Sequence, residues 1–148
     1  MNKTLITTVP FGSENRFPLE ILEANNIDYI INPFNSKLKE EQLLELTNKG
    51  IETIIAGTEP ITRKVIENAK DLKHISRVGI GLDSVDLIAA REKGLKVSYT
   101  PDAPAPAVAE LTIGLILSLL RGIHIANSEL HKGKWQRHIA RKLKIDKK

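Results

Sequence analysis

Residues 74–99 read HISRVGIGLDSVDLIAAREKGLKVSY, and this stretch decides the fold. Residues 74–78 form a short run with Ile75 and Val78, bounded by a glycine pair at Gly79 and Gly81, as a buried strand entering a turn should be. Residues 84–93 then carry Val85, Leu87, Ile88, Ala89 and Ala90, and Gly94 closes the segment in the place where helices commonly end. Residues 95–99 return to strand composition. A strand, a glycine turn, a helix and another strand make one βαβ unit, whose strands must run parallel.

The same rhythm extends upstream. Residues 3–9 (KTLITTV), 27–31 and 51–56 (IETIIA) read as strands. Between them Phe17–Ala24, residues 36–46 and residues 62–69 read as helices, with Ser36 a candidate cap for the second. The order β-α-β-α-β-α-β-α-β with short links gives an α/β domain. Its natural size is a flavodoxin-like five-stranded parallel sheet with helices on both faces. Ligands on such sheets bind beyond the carboxyl ends of the strands, where the strand order reverses. Four loops therefore become candidates: residues 10–13, 33–35, 57–60 and 79–83.

Downstream the pattern changes. Pro101, Pro104 and Pro106 make a stiff connector, and Pro106 suits the first turn of a helix. One long helix is expected over residues 106–130. In its first half only Glu110, Gly114, Ser118 and Arg121 interrupt an apolar surface, so it should be buried on most sides, against another domain, another subunit or both. The expected organisation is thus residues 1–100, a connector and helix over 101–131, and a basic segment over 132–148.

The chain has 148 residues, 41% hydrophobic and 27% charged, as expected of one globular domain. Zero cysteines exclude disulfides, a cysteine-ligated zinc site and a thiol nucleophile. The start, MNKTLITTVP, is too short and polar for a signal-peptide core. The longest apolar stretch contains Glu110 and does not read as a membrane span, so neither a membrane nor export is expected, and the cytoplasm is the expected location. Of the 22 basic residues, eight lie in residues 132–148 with a single acid, so that segment carries +7 and the remainder −3. With only Trp135 among its basic residues it reads as a solvated tail, not a nucleic-acid surface.

Each chemical motif has a plain structural counterpart. Gly79-Ile80-Gly81 could open a dinucleotide fingerprint, but the third glycine position is Ser84 and no acid follows at the required distance. The pair also suits an anion held on backbone N–H groups, or a tight turn without a ligand. Glu59 could act as a general base or could favour the dipole of the helix that follows, the second being the plainer role. Asp83 and Asp86 suit capping or bracing of the turn. His124, His131 and His138 recur every seven residues without the spacing or carboxylate a metal site needs, so no metal is expected.

Several segments together resemble a known family. The run Arg77-Val78-Gly79-Ile80-Gly81-Leu82-Asp83-Ser84-Val85-Asp86-Leu87, then Ala90 and Gly94-Leu95-Lys96-Val97, is similar to the signature of the D-isomer-specific 2-hydroxyacid dehydrogenases. Pro101, Val108-Ala109-Glu110-Leu111-Thr112 and Gly133-Lys134-Trp135-Gln136-Arg137 continue it. Asn32-Pro33-Phe34 with Lys37-Leu38, and Gly57-Thr58-Glu59-Pro60-Ile61-Thr62, look most like the phosphoglycerate dehydrogenase branch.

The resemblance implies a substrate domain followed by an NAD-binding Rossmann domain, whose first strand would begin near residue 145. It places the catalytic arginine, glutamate and histidine beyond that point, so no catalytic residue is expected in this chain, and NAD is expected in the intact enzyme but not on this chain alone. It implies that the substrate carboxylate meets the backbone at Val78 and Gly79, that the loop at Thr58 and Glu59 faces the substrate, and that Ile80 lies toward the nicotinamide. No arginine stands near Thr58-Glu59-Pro60 to hold a phosphate, and Ser84 replaces the family's asparagine. The expected partners are a small 2-hydroxy or 2-oxo acid and a second copy of the chain, docked through the helix at 106–123. The alternative is a stand-alone acid-binding or dimerisation module.

Overall fold

The computed structural model describes residues 3–135. The described chain forms two compact units, the first ending at Asp102 and the second beginning at Ala103.

In the first unit five strands alternate with four helices. They are β1 (Lys3–Ile6), α1 (Phe17–Ala24), β2 (Asp28–Ile31), α2 (Glu40–Thr47), β3 (Thr53–Ala56), α3 (Arg63–Asn68), β4 (His74–Arg77), α4 (Leu87–Glu92) and β5 (Lys96–Tyr99). All strand pairs are parallel, in the order β2-β1-β3-β4-β5. This is the α/β sheet expected from the alternation.

The register aligns one apolar row across the sheet: Ile30, Leu5, Ile54, Ile75 and Val97 are successive cross-strand partners. Side chains alternate along a strand, so this row shares one face. Leu5, Ile54 and Ile75 are completely buried there with Leu43 and Leu46 of α2, Val65 and Ile66 of α3, and Ala89 and Ala90 of α4. A row of this kind fixes register, because a slip by one residue would turn it to the other face. Ile6 and Leu19 are buried outside that cluster.

Three expected boundaries move, each for a physical reason. The second helix starts at Glu40, not at Ser36. The Ser36 carbonyl instead accepts from Asn32 Nδ2 at 2.8 Å, while the Lys39 N–H donates to Gln42 Oε1 at 2.9 Å. The fourth helix starts at Leu87, because residues 84–86 pair with Ile61: Ile61 N–H donates to Ser84 O at 2.7 Å and Asp86 N–H to Ile61 O at 3.0 Å. Asp86 then caps α4, its Oδ1 accepting from Ala89 N–H at 2.8 Å.

The long helix is two. In the second unit α5 (Ala105–Arg121) and α6 (Ile123–His131) meet at Gly122, which sits at φ 61° in the left-handed region that glycine enters without a Cβ clash. The axes differ by 66° across this break. The burial expected of this helix is not found within the described chain, where α5 has no buried residue. No single helix among the described residues is long and apolar enough to cross a membrane; the bent pair meets that composition only jointly.

Candidate functional site

The connections leave β1 toward β2 on one side and continue from β3 to β5 on the other. The strand order therefore reverses between β1 and β3, and the carboxyl ends of these two strands open onto a crevice. A cavity of about 190 Å³ occupies it. Thr7, Thr8 and Val9 come from the exit of β1, Gly57, Thr58 and Glu59 from that of β3, and Arg77 and Val78 from that of β4, with Lys37 from the loop before α2. The cavity is smaller than a drug-sized pocket and suits a ligand of a few heavy atoms. A shallower groove shares Lys37 and Thr58 and runs toward Pro60, Asp83 and Ser84.

Glu59 is 2% exposed and faces neither bulk solvent nor the next helix. Its Oε1 accepts from Gly57 N–H at 2.8 Å and from the Thr7 hydroxyl. The expected role at the helix dipole is corrected: Thr62 caps α3 through Val65 N–H, and Glu59 ties the β3 loop to the end of β1. The loops approach so closely that a Cβ on Gly57 would lie 3.1 Å from Thr8 Cα and 2.9 Å from Glu59 Oε2. Asn32 secures the same end of β1, Nδ2 donating to Thr7 O at 3.1 Å.

The two amides singled out from the sequence are both engaged. Val78 N–H donates to Ala56 O at 2.8 Å and so extends the sheet. Gly79 N–H donates to Thr100 Oγ1 at 2.7 Å, and Thr100 N–H returns a bond to Gly79 O at 3.2 Å. The first bond is interior to the sheet; the second lies at the exposed rim, where a side chain is the acceptor. Ile80, 64% exposed, follows on the same rim.

Arg77 was legible only as part of a signature, yet it is the unusual group of the site. It ends a central strand, is 9% exposed, and its guanidinium curls under Gly79, with Nη1 donating to Val78 O. A Cβ on Gly79, whose φ is +134°, would lie 2.5 Å from Nη1. Arg77 Nε is buried without a partner, and Arg77 has no ion pair among the described residues. Thr58, Glu59 and Val78 are thus brought together, Gly79 and Ile80 flank them, and Thr7, Thr8, Lys37, Arg77 and Thr100 join them unannounced. His124 and His131 lie exposed in the second unit, and His138 lies outside the described residues. No cluster of metal-ligating residues occurs among the described residues.

Residues 14–142 match the family described as D-isomer specific 2-hydroxyacid dehydrogenase, catalytic domain. The chain belongs to this family. It is 41% identical over 100 residues to a hydroxypyruvate reductase of Thermotoga maritima, covering 68% of this chain and 33% of that protein. It is 44% identical over 99 residues to a D-3-phosphoglycerate dehydrogenase of Methanocaldococcus jannaschii, covering 67% of this chain and 19% of that one. Among solved structures it is similar to a D-isomer specific 2-hydroxyacid dehydrogenase of Polaromonas (TM-score 0.78, 27% identity, 91% of this chain and 41% of the other). It is also similar to an NAD+-bound 3-phosphoglycerate dehydrogenase of Entamoeba histolytica (TM-score 0.72, 26% identity, 81% and 39%). The chain therefore spans about a fifth to two-fifths of the length of these relatives.

The cofactor of that neighbour does not fit the glycine turn of this chain. A dinucleotide pyrophosphate needs a helix N-terminus directly after the glycines. Here α4 begins only at Leu87, and the carboxylate of Asp86 already occupies its first N–H groups.

Proposed function

We propose that this chain supplies the substrate-binding part of an oxidoreductase acting on a small 2-hydroxy or 2-oxo acid. The observation that carries the reading is the cavity at the strand-order reversal. It gathers Thr58, Glu59 and Val78, the residues that the family resemblance turns toward the substrate, with Gly79 at its rim. Of the two amides in that segment, only Gly79 N–H is free to change partner, since Val78 N–H is held within the sheet. The carboxylate takes the place of the Thr100 hydroxyl on Gly79 N–H. Ile80 offers an apolar surface on the rim for the nicotinamide side of a cofactor held elsewhere. Glu59 positions the loops and is not assigned to proton transfer. No acid–base group for hydride chemistry is assigned within residues 1–148, and no turnover is expected of them alone.

The test is a titration of the 15N-labelled chain with hydroxypyruvate. Saturable shifts of the Gly79 and Thr100 amides are expected; unmoved amides at tens of millimolar acid would refute the reading.

A second role rests on a separate observation. Val108, Leu111, Leu115 and Leu119 recur at helical spacing along α5, and each is more than half exposed. This stripe docks a second copy of the chain. Sedimentation should show a concentration-dependent dimer that Leu115→Glu abolishes; a monomer at the highest soluble concentration would exclude it.

A further inference from the structure

We infer that Arg77 and Lys37 form a second anion subsite, so that the acid this cavity takes carries a further negative group beyond its 2-carboxylate: a phosphate monoester or a second carboxylate. This rests on the reading of Gly79 as the carboxylate rim and extends it inward.

The argument starts from Arg77. A guanidinium has five N–H donors and stays charged, so it is seldom buried without a counter-ion. Arg77 is more than nine-tenths buried, makes a single protein hydrogen bond to the carbonyl beside it, and leaves Nε with no acceptor. Glu59 lines the same cavity but does not neutralise it: the carboxylate is engaged by Gly57 N–H and the Thr7 hydroxyl, and no ion pair joins it to Arg77. Lys37 lines the cavity from another element and likewise has no ion pair among the described residues. Two cations thus face one small cavity against a single carboxylate whose acceptor oxygen is already in use. The Thr58 hydroxyl and the Thr8 side chain lie on the same wall. An arginine fork with a nearby ammonium and hydroxyls is the donor set that holds a phosphate or carboxylate.

The sequence alone argued against a phosphorylated acid, because no arginine stands in the Thr58-Glu59-Pro60 loop. The fold supplies the charge from β4 and from the loop before α2.

The experiment is a titration of the 15N-labelled full chain at low ionic strength with D-lactate, malate and 3-phosphoglycerate, with inorganic phosphate as a control. At least one of malate and 3-phosphoglycerate should bind about tenfold or more tightly than lactate, and whichever leads identifies the second group. Lys37→Gln and Arg77→Lys should each erase most of that preference while leaving lactate affinity unchanged. Lys37 is exposed, so Lys37→Gln tests the idea even where the Arg77 variant folds poorly. Equal affinities for all three acids, with lactate moving Gly79, would overturn this inference and leave the carboxylate site standing. Tight 3-phosphoglycerate binding with no lactate response at Gly79 would do the reverse. Failure of every acid and of phosphate to bind overturns the subsite.

Discussion

Replacing Glu59 with alanine tests how the site is built. In the folded chain Glu59 is buried and accepts from Gly57 N–H at 2.8 Å and from the Thr7 hydroxyl. Alanine leaves the Gly57 N–H without an acceptor, at about 1–3 kcal/mol for a buried donor. The Thr7 hydroxyl loses less, because Ile55 O lies 3.0 Å away and can accept instead. The space vacated by the side chain adds about 1 kcal/mol. The expected loss is therefore about 2–4 kcal/mol. Glu59→Gln keeps an acceptor for Gly57 and should cost only about 1 kcal/mol, the difference between a charge-assisted and a neutral bond. Were Glu59 instead favouring the dipole of α3, both variants would cost less than about 1 kcal/mol and by the same amount. Urea unfolding followed by far-ultraviolet circular dichroism gives the stability, and amide hydrogen exchange at Gly57 gives the local effect. Equal costs for the two variants with Gly57 exchange unchanged would refute the brace.

Three further outcomes are expected. Thr100→Val removes the acceptor that competes for Gly79 N–H, so hydroxypyruvate should bind several-fold more tightly, read by the same amide titration; weaker binding would mean that Thr100 itself contacts the acid. Gly79→Ala places a Cβ against Arg77 Nη1 at φ +134° and should cost about 1–3 kcal/mol in urea unfolding and erase any preference for a dianionic acid. His74 is held below its ordinary pKa of 6.5 by burial and then by Lys96, and it bonds Ser98 Oγ at 2.8 Å. The folded chain therefore resists protonation that the unfolded chain accepts. Stability should fall as pH drops below about 6.5 toward the folded pKa, and His74→Gln should flatten that part of the profile.

The sheet was legible because its signal is local. Each strand is a short apolar run ended by glycine, proline or asparagine, and the row Leu5, Ile54, Ile75 repeats one instruction in three places. The errors lie where a distant segment competes for a backbone. Residues 84–86 carry a good helix start, but Ile61 takes their hydrogen bonds. Ser36 looks like a cap, but Asn32 takes its carbonyl. Gly122 is the exception: a glycine after Arg121 is a local stop signal, and the run of apolar residues on both sides masked it.

The site divides along the same line. Val78 and Gly79 could be found because the strand, the glycines and the family pattern are contiguous. What their amides bond to could not, since Ala56 and Thr100 lie 22 and 21 residues away. Glu59 shows the consequence: read beside Pro60 and Thr62 it is a helix-start acid, yet its partner Thr7 is 52 residues earlier. Arg77 follows the same logic. An arginine closing a central strand is a local oddity, but only the fold brings Lys37 and Thr58 to it and keeps Glu59 from pairing with it. The reversal of strand order does this work. It parts the connections above β1 and β3, and so leaves a buried charge facing a cavity instead of a helix.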